Sequence, residues 1–495
     1  MENNENLLVE DYGEQVRIRR EKLSALTQEG KNPYEQTKFI VDATSNGILG
    51  DFANYENKSV RIAGRILSRR MMGKASFAHL LDSKGKIQIY VKRDNVGEDV
   101  YAEWKKADIG DIYGIEGTVF MTHSGEVSVS VTAMTMLSKS LLPLPEKFHG
   151  LKDNDLRYRQ RYVDLIANPE VKENFVVRSR IIKAIRDLLD SKGFVEVETP
   201  VLNTIAGGAS ARPFITHHNT LDLNMYMRIA PELYLKRLIV GGFDKVYEIG
   251  KMFRNEGMDV KHNPEFTMME LYQAYADYND MMDITEEIYH AALTAAGKGD
   301  KITYEGVEID LTSPWERLTM LDAIKRYVGI DFDKMNDAEA LEAAKKAGVE
   351  IDDKKTAWGN IVYATFDQKV EEKLIQPVFI TDYPIEESPL TKQKTEDPRL
   401  TYRFEFFIFA REMGNAYSEL NDPIDQKERF LRQVALREKG DDEAQMMDED
   451  FVTALEYGMP PTGGLGIGID RLIMLLTDSS SIRDVMLFPT MKPKK

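Results

Sequence analysis

The chain has 495 residues, of which 42% are hydrophobic and none is cysteine, and its formal net charge at pH 7 is −17. The length predicts two or three domains, and the missing cysteines exclude disulfides, zinc-thiolate sites and thiol nucleophiles. The negative charge argues against a protein that coats nucleic acid non-specifically, because phosphate binding needs basic surface. No apolar run is long enough for a membrane span and the N-terminus is unlike a targeting peptide, so we expect a cytoplasmic protein without membrane contact.

Residues 1–57 are predicted to form a helical N-terminal extension. It carries one cluster of basic side chains, and a second cluster follows soon after it. Considered alone, each cluster is more typical of a solvated face than of a binding surface. The two clusters consist of Arg17, Arg19, Arg20 and Lys22, and of Arg61, Arg65, Arg69, Arg70 and Lys74.

Residues 58–145 change to short segments of alternating hydrophobicity, which predict five strands joined by polar turns. A helix is predicted over residues 95–107, between the third and fourth strands. This order resembles the oligonucleotide-binding (OB) barrel, which binds single strands through a face of aromatic and polar residues. On such a face Phe77 would stack on a base, whereas considered alone it is more typical of a core position.

Residues 146–170 are predicted to be a linker, because prolines end the last strand of the barrel. Residues 171–191 have helical periodicity, and the stretch FVEVETPVL that follows predicts a strand containing Pro200. Gly207 and Gly208 predict a loop whose backbone comes close to a ligand. Glu232 lies near the start of a predicted helix, where a carboxylate also favours the helix dipole. Beyond it, residues 337–347 and 366–374 predict helices, and residues 377–384 predict a buried strand.

A hairpin predicted over residues 245–272 places charge where a purely structural hairpin would bury apolar side chains. A polar loop containing Glu256 and His262 joins its strands. Buried charge is unfavourable unless it binds something, so the hairpin is predicted to hold a ligand. One face of the first strand carries Glu248, Gly250, Met252 and Arg254. One face of the second strand carries Phe266, Met268, Glu270 and Tyr272.

The stretch from Glu405 to Glu419 contains regularly spaced polar residues. On one continuous strand Glu405 and Glu412 would point to opposite faces. A turn near Ala410 would instead give two paired strands that aim both carboxylates inward, as a hard cation requires. The turn residues Phe409 and Ala410 are not glycine, and Asn415, Tyr417 and Glu419 alternate onto one face beyond them.

Four glycines precede a helix predicted to begin near Asp470. A dinucleotide-binding fingerprint has similar glycines, but it also needs a following strand and an acidic residue about twenty positions on. Only 24 residues follow Arg471, so we reject that interpretation. The glycines are Gly463, Gly464, Gly466 and Gly468.

Three stretches resemble the sequence motifs of class II aminoacyl-tRNA synthetases of subclass IIb, and in wording the bacterial lysyl members. FRNEG with HNPEFTMMELY resembles motif 2, the helix and strand up to Pro200 resemble motif 1, and GMPPTGGLGIGIDRL resembles motif 3. The resemblance spans roughly residues 10–492 and implies an α+β fold. An OB barrel would precede a catalytic domain at residues 171–495, with an antiparallel sheet flanked by helices, an insertion region at residues 291–400 and a homodimer interface at motif 1.

The resemblance also implies an ATP-dependent enzyme that forms lysyl-adenylate from L-lysine and transfers lysine to the 3′ end of tRNA(Lys). Arg254 and Arg471 would be catalytic, because a guanidinium fork stabilises charge on phosphate. His262, considered alone, is more often structural. The implied binding residues are Arg254, Glu256, His262, Phe266, Glu412 and Arg471 for ATP; Gly208, Glu232, Glu270, Tyr272, Asn415, Tyr417 and Glu419 for lysine; Glu405 and Glu412 for Mg²⁺; and Arg65, Phe77 and Gln88 for the anticodon.

The balance of charge in these motifs favours lysine as the substrate. Three carboxylates, Glu232, Glu270 and Glu419, converge with Tyr272, while the motifs offer only two arginines for anions, so a substrate with two ammonium groups fits. Two alternatives remain to be weighed. A relative that aminoacylates a protein lysine would lack the barrel, and a non-catalytic RNA-binding protein would lack one of the arginines or Glu412.

Overall fold

The structure, a computed structural model, describes residues 13–145, 151, 153–209, 211–440 and 444–494. Its contacts divide the chain into two compact units, Met1–Lys152 and Asp153–Lys495. The start of the predicted helical extension, most of residues 146–152 in the predicted linker, and Ser210 in the predicted glycine loop lie outside the described residues. Among the helices described, none is both long and apolar enough to cross a membrane.

The first unit contains a closed five-stranded barrel, as predicted. The strand order around the barrel is β1-β2-β3-β5-β4, and side chains such as Ile66, Ile89 and Val129 fill its interior with no exposed surface. The predicted OB barrel is confirmed. The elements up to the third strand are α1 (Gly13–Gln28), a 3₁₀ turn (Pro33–Glu35), α2 (Ser45–Gly50), α3 (Phe52–Tyr55), β1 (Ser59–Met72), β2 (Ala75–Leu81) and β3 (Lys86–Lys92). Strands β4 (Ile112–Met121) and β5 (Val127–Ser138) complete the barrel.

The helical segment between β3 and β4 differs from the single helix predicted over residues 95–107. It consists of α4 (Arg93–Val96) and α5 (Glu98–Lys106), because Gly97 interrupts the helix with a φ of +89°. Helix α5 buries Tyr101 and Trp104, and the indole N–H of Trp104 donates to Ser76 Oγ at 2.7 Å. The helix therefore closes the barrel through an aromatic contact that also satisfies its polar atom.

The second unit is built on one large sheet with helices packed against it. Its helices are α6 (Asn154–Arg159), α7 (Arg161–Ala167), α8 (Val171–Ser191), α9 (Glu232–Val240), α10 (Tyr278–Ala295), α11 (Met320–Val328), α12 (Asp337–Lys346), α13 (Trp358–Lys369), α14 (Pro423–Glu438), α15 (Glu449–Glu456) and α16 (Ile469–Leu476). Its strands are β6 (Val195–Glu196), β7 (Leu202–Asn203), β8 (Ile215–His218), β9 (Leu223–Met227), β10 (Lys245–Phe253), β11 (Glu265–Ala274), β12 (Lys301–Tyr304), β13 (Val307–Asp310), β14 (Glu316–Thr319), β15 (Val378–Thr381), β16 (Arg403–Phe407), β17 (Glu412–Ser418) and β18 (Thr462–Gly468).

The sheet has the order β14-β15-β16-β17-β18-β11-β10-β6. Its six central strands are antiparallel, and the pairings at its two edges, β14 with β15 and β10 with β6, are parallel. One face of the sheet packs on α8, α10 and α16, with Ile181, Met269, Leu465 and Leu472 buried between them. The α+β fold is confirmed, and the opposite face of the central strands is left for polar side chains.

Two predicted elements of this unit are wrong in extent. The stretch FVEVETPVL forms only the two-residue strands β6 and β7, because β6 is an edge strand and Pro200 has no N–H to donate. The helix predicted over residues 366–374 instead runs over Trp358–Lys369, with a 3₁₀ turn at Glu371–Lys373. Gly359 and the β-branched residues after it disfavour a helix locally, but burial of Trp358 and Phe366 stabilises it.

The barrel provides a test of a buried ion pair. Asp111 is fully buried and accepts hydrogen bonds from Lys139 Nζ at 2.9 Å and from the backbone of Ser140 at 2.9 Å. We expect Asp111→Ala to destabilise the barrel by about 1–3 kcal/mol, because it removes one partner of the buried Lys139 ammonium and leaves it paired with Asp108 at 2.6 Å. Native-state hydrogen exchange of β4 and β5 amides measures the effect. As a control, Glu98→Ala removes the ion pair between Arg93 and Glu98, in which the glutamate side chain is 83% exposed. This substitution should change the free energy of unfolding by less than about 0.5 kcal/mol.

Candidate active site

One cavity of about 340 Å³ on the open face of the sheet brings together every site residue that the sequence predicts in the second unit. Strands, loops and helix termini from five parts of the chain supply them. The predicted residues that line the cavity are Gly208, Glu232, Arg254, Glu256, His262, Phe266, Glu270, Tyr272, Glu405, Glu412, Asn415, Tyr417, Glu419 and Arg471.

Strand register explains why residues far apart in the sequence meet here. Across five neighbouring strands, β10, β11, β18, β17 and β16, the paired residues are in turn Glu248, Glu270, Gly466, Asn415 and Glu405. Directly opposed residues of antiparallel strands point to the same face. A single row of polar side chains, interrupted only by Gly466 on β18, therefore crosses these five strands.

Glu248, at one end of this row, has a structural role. It does not line the cavity but forms a buried ion pair with Arg228, and it accepts a hydrogen bond from Thr199 Oγ1 at 2.7 Å. The charged face predicted for the hairpin is thus divided. Glu248 is neutralised within the protein, whereas Glu270, its partner on β11, faces the cavity.

The glycine run before α16, to which the sequence analysis assigned no secondary structure, is strand β18, which forms the floor of the cavity. Gly464 pairs with Tyr272 on β11 and with Tyr417 on β17. A Cβ on Gly464 would overlap the carboxylate of Glu419 and the ring of Tyr272. Because Gly464 has no side chain, strand β18 leaves space for the side chains of Glu419 and Tyr272. Gly208 is constrained differently, because its φ of +88° is one that other residues rarely adopt.

Three carboxylates are buried at one end of the cavity. Glu232, Glu270 and Glu419 are 5%, 6% and 1% exposed, and Tyr272 donates to Glu270 at 3.0 Å. Burial and the charge of Glu232 raise the pKa of Glu270 to about 8. Burial likewise raises the pKa of Glu419 to about 8, although Lys236 opposes that shift. This end of the cavity holds negative charge at an energetic cost.

Lys236 is a cation at this site that the sequence analysis missed. Its Nζ lies 2.5 Å from Glu232 Oε1 and forms an ion pair with Glu419. Burial opposes its charged form, but Glu232 and Glu419 more than offset it, so the pKa of Lys236 is raised. The signal was present in the sequence, since a glutamate and a lysine four residues apart face each other on a helix. The sequence analysis counted only the two arginines of the motifs, and Lys236 adds a further cation to the balance of charge at the site.

Arg403 is a second cation absent from the prediction. It forms an ion pair with Glu405 at 2.5 Å, two residues along the same strand, and its guanidinium lies 5.5 Å from the centre of the Tyr417 ring. Tyr383 donates a hydrogen bond to the other oxygen of Glu405 at 2.8 Å. Tyr383 belongs to the region 291–400, to which the sequence assigned no site residue. That region therefore orients one of the predicted metal-binding carboxylates.

Cations and an aromatic ring occupy the other end of the cavity. Arg254 lies directly after β10, with its guanidinium 5.2 Å from the centre of the Phe266 ring. Its Nε is buried, and no described group accepts a hydrogen bond from it. Arg471 lies in the first turn of α16, 3.3 Å from Glu412 Oε2 and 3.3 Å from His262 Nε2. The arrangement presents positive charge to an anion.

A buried carboxylate beneath the cavity holds Arg471 in this place. Asp470 is 2% exposed and accepts hydrogen bonds from the backbone N–H of Thr267 at 2.6 Å and from Arg178 at 2.5 Å. These bonds tie the start of α16 to β11 and to α8. The direction of the Arg471 side chain is therefore set by three elements of the fold.

The predicted turn near Ala410 exists and joins β16 to β17. Phe409 and Ala410 have φ values of +56° and +52°, the left-handed region that favours glycine. Their N–H groups donate to the carbonyls of Ile375 at 2.9 Å and Leu374 at 2.7 Å. Contacts from a neighbouring segment thus hold the turn without glycine.

The turn places Glu405 and Glu412 on paired strands, and both line the cavity. Burial raises the pKa of Glu405 to about 6, and the charge of Glu412 adds to that shift. Two carboxylates that line the same cavity fit a hard cation such as Mg²⁺, which proteins often bind through one or two carboxylates plus phosphate oxygens. Among the described residues no cluster of three or more metal-binding side chains occurs, so phosphate oxygens would have to complete such a site.

In the first unit, Phe77 lies on the outward face of the barrel. It is half-buried, and its ring centre is 4.9 Å from that of Tyr90, the residue opposite it on β3. Phe120 continues the aromatic face, 6.1 Å from Tyr90. The alternative that Phe77 is a core residue is wrong, because the side chains of β2 that fill the barrel are its neighbours Ala78 and Leu80.

Arg65 and Gln88 lie on strands on either side of Phe77, and both have partners within the barrel. Gln88 donates to Glu126 at 2.7 Å and accepts from Ser128 at 2.7 Å. Arg65 donates to the carbonyl of Gly110 at 2.7 Å. Their polar groups are therefore held in fixed directions beside the aromatic face.

Comparison with known proteins assigns both units to families. Residues 153–492 match the model for tRNA synthetases class II (D, K and N), and residues 60–137 match the model for an OB-fold nucleic acid binding domain. The first match covers more than half of the chain. The chain belongs to the class II tRNA synthetases of the D, K and N group.

Curated relatives similar to this chain over nearly its whole length are lysine--tRNA ligases. The protein of that name from Pelotomaculum thermopropionicum is 60% identical over 488 residues, which cover 98% of this chain and 96% of the relative. The lysine--tRNA ligase of Carboxydothermus hydrogenoformans is 60% identical over 487 residues, 98% of this chain and 99% of the relative. The lysine--tRNA ligase of a Thermoanaerobacter species is 60% identical over 486 residues, which cover 98% of this chain and 97% of the relative.

The buried carboxylates predict a specific titration. We expect ¹³C NMR of labelled glutamate carboxyls to contain signals with midpoints near pH 8, from Glu270 and Glu419. In Glu419→Gln the midpoint of Glu270 should fall, because the charge of Glu419 no longer opposes its ionisation. Glu286→Gln, a buried control outside the cavity, should leave it unchanged. A spectrum without any carboxyl signal titrating near pH 8 would contradict the prediction.

Proposed function

We propose that the protein is a lysine–tRNA ligase, which activates L-lysine with ATP to lysyl-adenylate and transfers lysine to tRNA(Lys). One observation carries the choice of amino acid. Glu419 is buried at the end of the cavity, and no described group donates a hydrogen bond of normal geometry to either of its oxygens, although Lys236 forms an ion pair with it. A buried carboxylate left in this state favours a cationic ligand.

In the amino-acid site, carboxylates of the protein would bind the ammonium groups at both ends of the substrate. Glu419 and Tyr272 would bind the ε-ammonium, Glu232 would bind the α-ammonium, and Glu270 would support either. With Lys236 included, the three carboxylates carry a formal excess of two negative charges, which two ammonium groups match. The remaining residues proposed for this site are Gly208, Asn415 and Tyr417.

ATP would occupy the end of the cavity that contains the arginines. Arg254 would bind the α-phosphate and stabilise the charge that develops when the lysine carboxylate attacks it, and Arg471 would bind the other phosphates. Phe266 would stack on adenine, Glu256 would accept from its amino group, and His262 would approach the γ-phosphate. Catalysis would depend on positioning and electrostatics, without a covalent enzyme intermediate.

Glu405 and Glu412 would hold Mg²⁺. When bound, the ion would neutralise the ATP phosphates. The protein's own contribution is to orient the two carboxylates, because Arg403 and Tyr383 bind Glu405 and Arg471 binds Glu412. This proposal is supported by the position of Glu405 and Glu412 on paired strands, where both carboxylates line the cavity.

The barrel would bind the anticodon of tRNA(Lys). Phe77 would stack on a base, and Arg65 and Gln88 would contact base edges. A local aromatic face is compatible with the overall negative charge, because stacking does not depend on a basic surface. We propose the domain boundaries predicted above, namely an extension at 1–57, the barrel at 58–145, a linker at 146–170 and the catalytic domain at 171–495 with its insertion region at 291–400.

We also propose a homodimer that works in the cytoplasm. Apolar side chains near motif 1 are unusually exposed, including Val195 at 46%, Leu202 at 44% and Ile215 at 64%. Exposed apolar side chains grouped near one motif favour a protein interface there. Sedimentation equilibrium would test this, and a monomer at micromolar concentration would contradict it.

The two alternative functions are less well supported. A relative that aminoacylates a protein lysine has no need of a barrel that binds single strands, and this chain has one. A non-catalytic RNA-binding protein would not keep Arg254, Glu412 and Arg471 around one cavity.

The decisive experiment is amino-acid-dependent ATP–pyrophosphate exchange without tRNA, across all twenty amino acids. Exchange with lysine alone is expected. Exchange with another amino acid would overturn the assignment of the pocket, and no exchange would favour the non-catalytic alternative. Charging of tRNA(Lys) then tests the second step.

A substitution in the pocket separates lysine binding from ATP binding. We expect Glu419→Gln to raise the KM for lysine about tenfold or more, because it removes a charge-assisted hydrogen bond. The KM for ATP should change by less than about threefold, because ATP is assigned to the other end of the cavity. Pyrophosphate exchange at varied lysine and ATP measures both constants, with Glu286→Gln as the control. Equal effects on the two substrates would count against the assignment.

The pKa values predict how lysine binding depends on pH. Without substrate, Glu270 and Glu419 titrate near pH 8 and are largely protonated at neutral pH. Ammonium groups bind the ionised form, so lysine must displace a proton below pH 8. The KM for lysine should therefore fall as pH rises from 6.5 to 8, by up to about tenfold per unit for each proton released, and then level off. The KM for ATP serves as the internal control.

A further inference from the structure

A buried ammonium group lies behind the proposed amino-acid site. Lys236 Nζ contacts Glu232 and Glu419, the two carboxylates to which the proposed function assigns the ammonium groups of the substrate. The side chains of Lys236 and Glu419 have no exposed surface, and that of Glu232 is 6% exposed. Lys236 is not among the described residues that line the cavity. It would therefore act on the substrate only through the two carboxylates.

The surroundings of Lys236 leave these carboxylates as its charged partners. Burial raises the pKa of Tyr272 and of Tyr417, so both phenols remain neutral. The rings of Tyr272 and Phe451 each lie 6.0 Å from Nζ and add a favourable cation–π contact. The titratable groups that face it are Glu232 from α9, Glu270 and Tyr272 from β11, Tyr417 from β17, and Glu419 just beyond β17.

We propose that Lys236 is a positioning residue for the amino-acid substrate. One internal ammonium group holds Glu232 and Glu419 in the orientation in which each can accept one ammonium group of lysine, and its charge favours the ionised form of Glu419. This inference rests on the proposed function, since it needs a substrate with two ammonium groups.

The sign of the effect follows from distance. Lys236 touches the carboxylates directly, whereas the substrate would lie beyond them, so its support of carboxylate ionisation outweighs its repulsion of the substrate. Without Lys236 the carboxylate of Glu419 would protonate more readily, and lysine would have to displace that proton. The loss of lysine affinity is therefore greatest at low pH, and it becomes smaller as pH rises and Glu419 ionises without Lys236.

The test compares Lys236→Met with the wild type in lysine-dependent ATP–pyrophosphate exchange between pH 6.5 and 8.5. At pH 6.5 we expect the KM for lysine to rise about tenfold or more, which corresponds to one pKa unit, and the KM for ATP to change less than about threefold. The lysine penalty should be several times smaller at pH 8.5. Lys236→Arg, which keeps the charge, should retain more of the lysine affinity than Lys236→Met.

Arg228→Met is the matched control, because Arg228 is a buried cation paired with Glu248 that does not line the cavity. It should alter stability without a lysine-specific, pH-dependent penalty. For Lys236→Met, equal effects on lysine and ATP, or a penalty independent of pH, would show a merely structural role and overturn the inference.

A measurement on the wild type covers the case in which Lys236→Met does not fold. The ¹⁵N signal of the Lys236 ammonium, assigned with Lys236→Arg, should shift when lysine is added and stay in place when ATP alone is added. An ammonium signal that does not shift when lysine is added would overturn the proposal. Failure of the proposed function is distinguishable, because the wild type would then show no lysine-dependent exchange at all.

Discussion

The structure depends on keeping several carboxylates away from water without giving each a full set of partners. Glu232, Glu270 and Glu419 are buried around one end of a cavity, and one ammonium group, that of Lys236, offsets part of their charge. Burying an ionised carboxylate is costly unless it is paired. The sheet can hold this arrangement because its other face packs on a large apolar core. The uncompensated charge is then available to a cationic ligand.

The cavity is electrostatically divided, and the fold maintains the division. Glu232, Glu270 and Glu419 occupy one end, whereas Arg254 and Arg471 occupy the other, where Glu412 pairs with Arg471 and Asp470 holds the start of α16. Lysine and ATP have the complementary charges, and a fixed arrangement of opposite charges would orient both before reaction. Strand β18 makes this possible, because its glycines leave room between neighbouring strands that both carry large polar side chains.

Residues outside the three motifs support the site. Tyr383, which belongs to the region 291–400, orients Glu405 through a hydrogen bond. Ile375 and Leu374 of the same region bind the turn between β16 and β17, and thereby orient the start of β17. In the first unit, the aromatic face at Phe77 offers stacking rather than a strongly basic surface, which suits a chain with a net charge of −17. Specific contacts would then be favoured over non-specific attraction to nucleic acid.

The sequence alone was sufficient for local geometry and for the residues of the motifs. Strand periodicity placed Glu270 and Tyr272 on one face, and the spacing of Glu405 and Glu412 required a turn between them. It did not reveal that the glycine run is a strand, that Gly97 divides a helix, or that Lys236 joins Glu232 to Glu419. Periodicity reports the conformation of a short segment, whereas these features depend on sheet order, register and burial among residues far apart in the chain. Only the tertiary structure decides which charges become neighbours, and therefore which of them remain for a ligand.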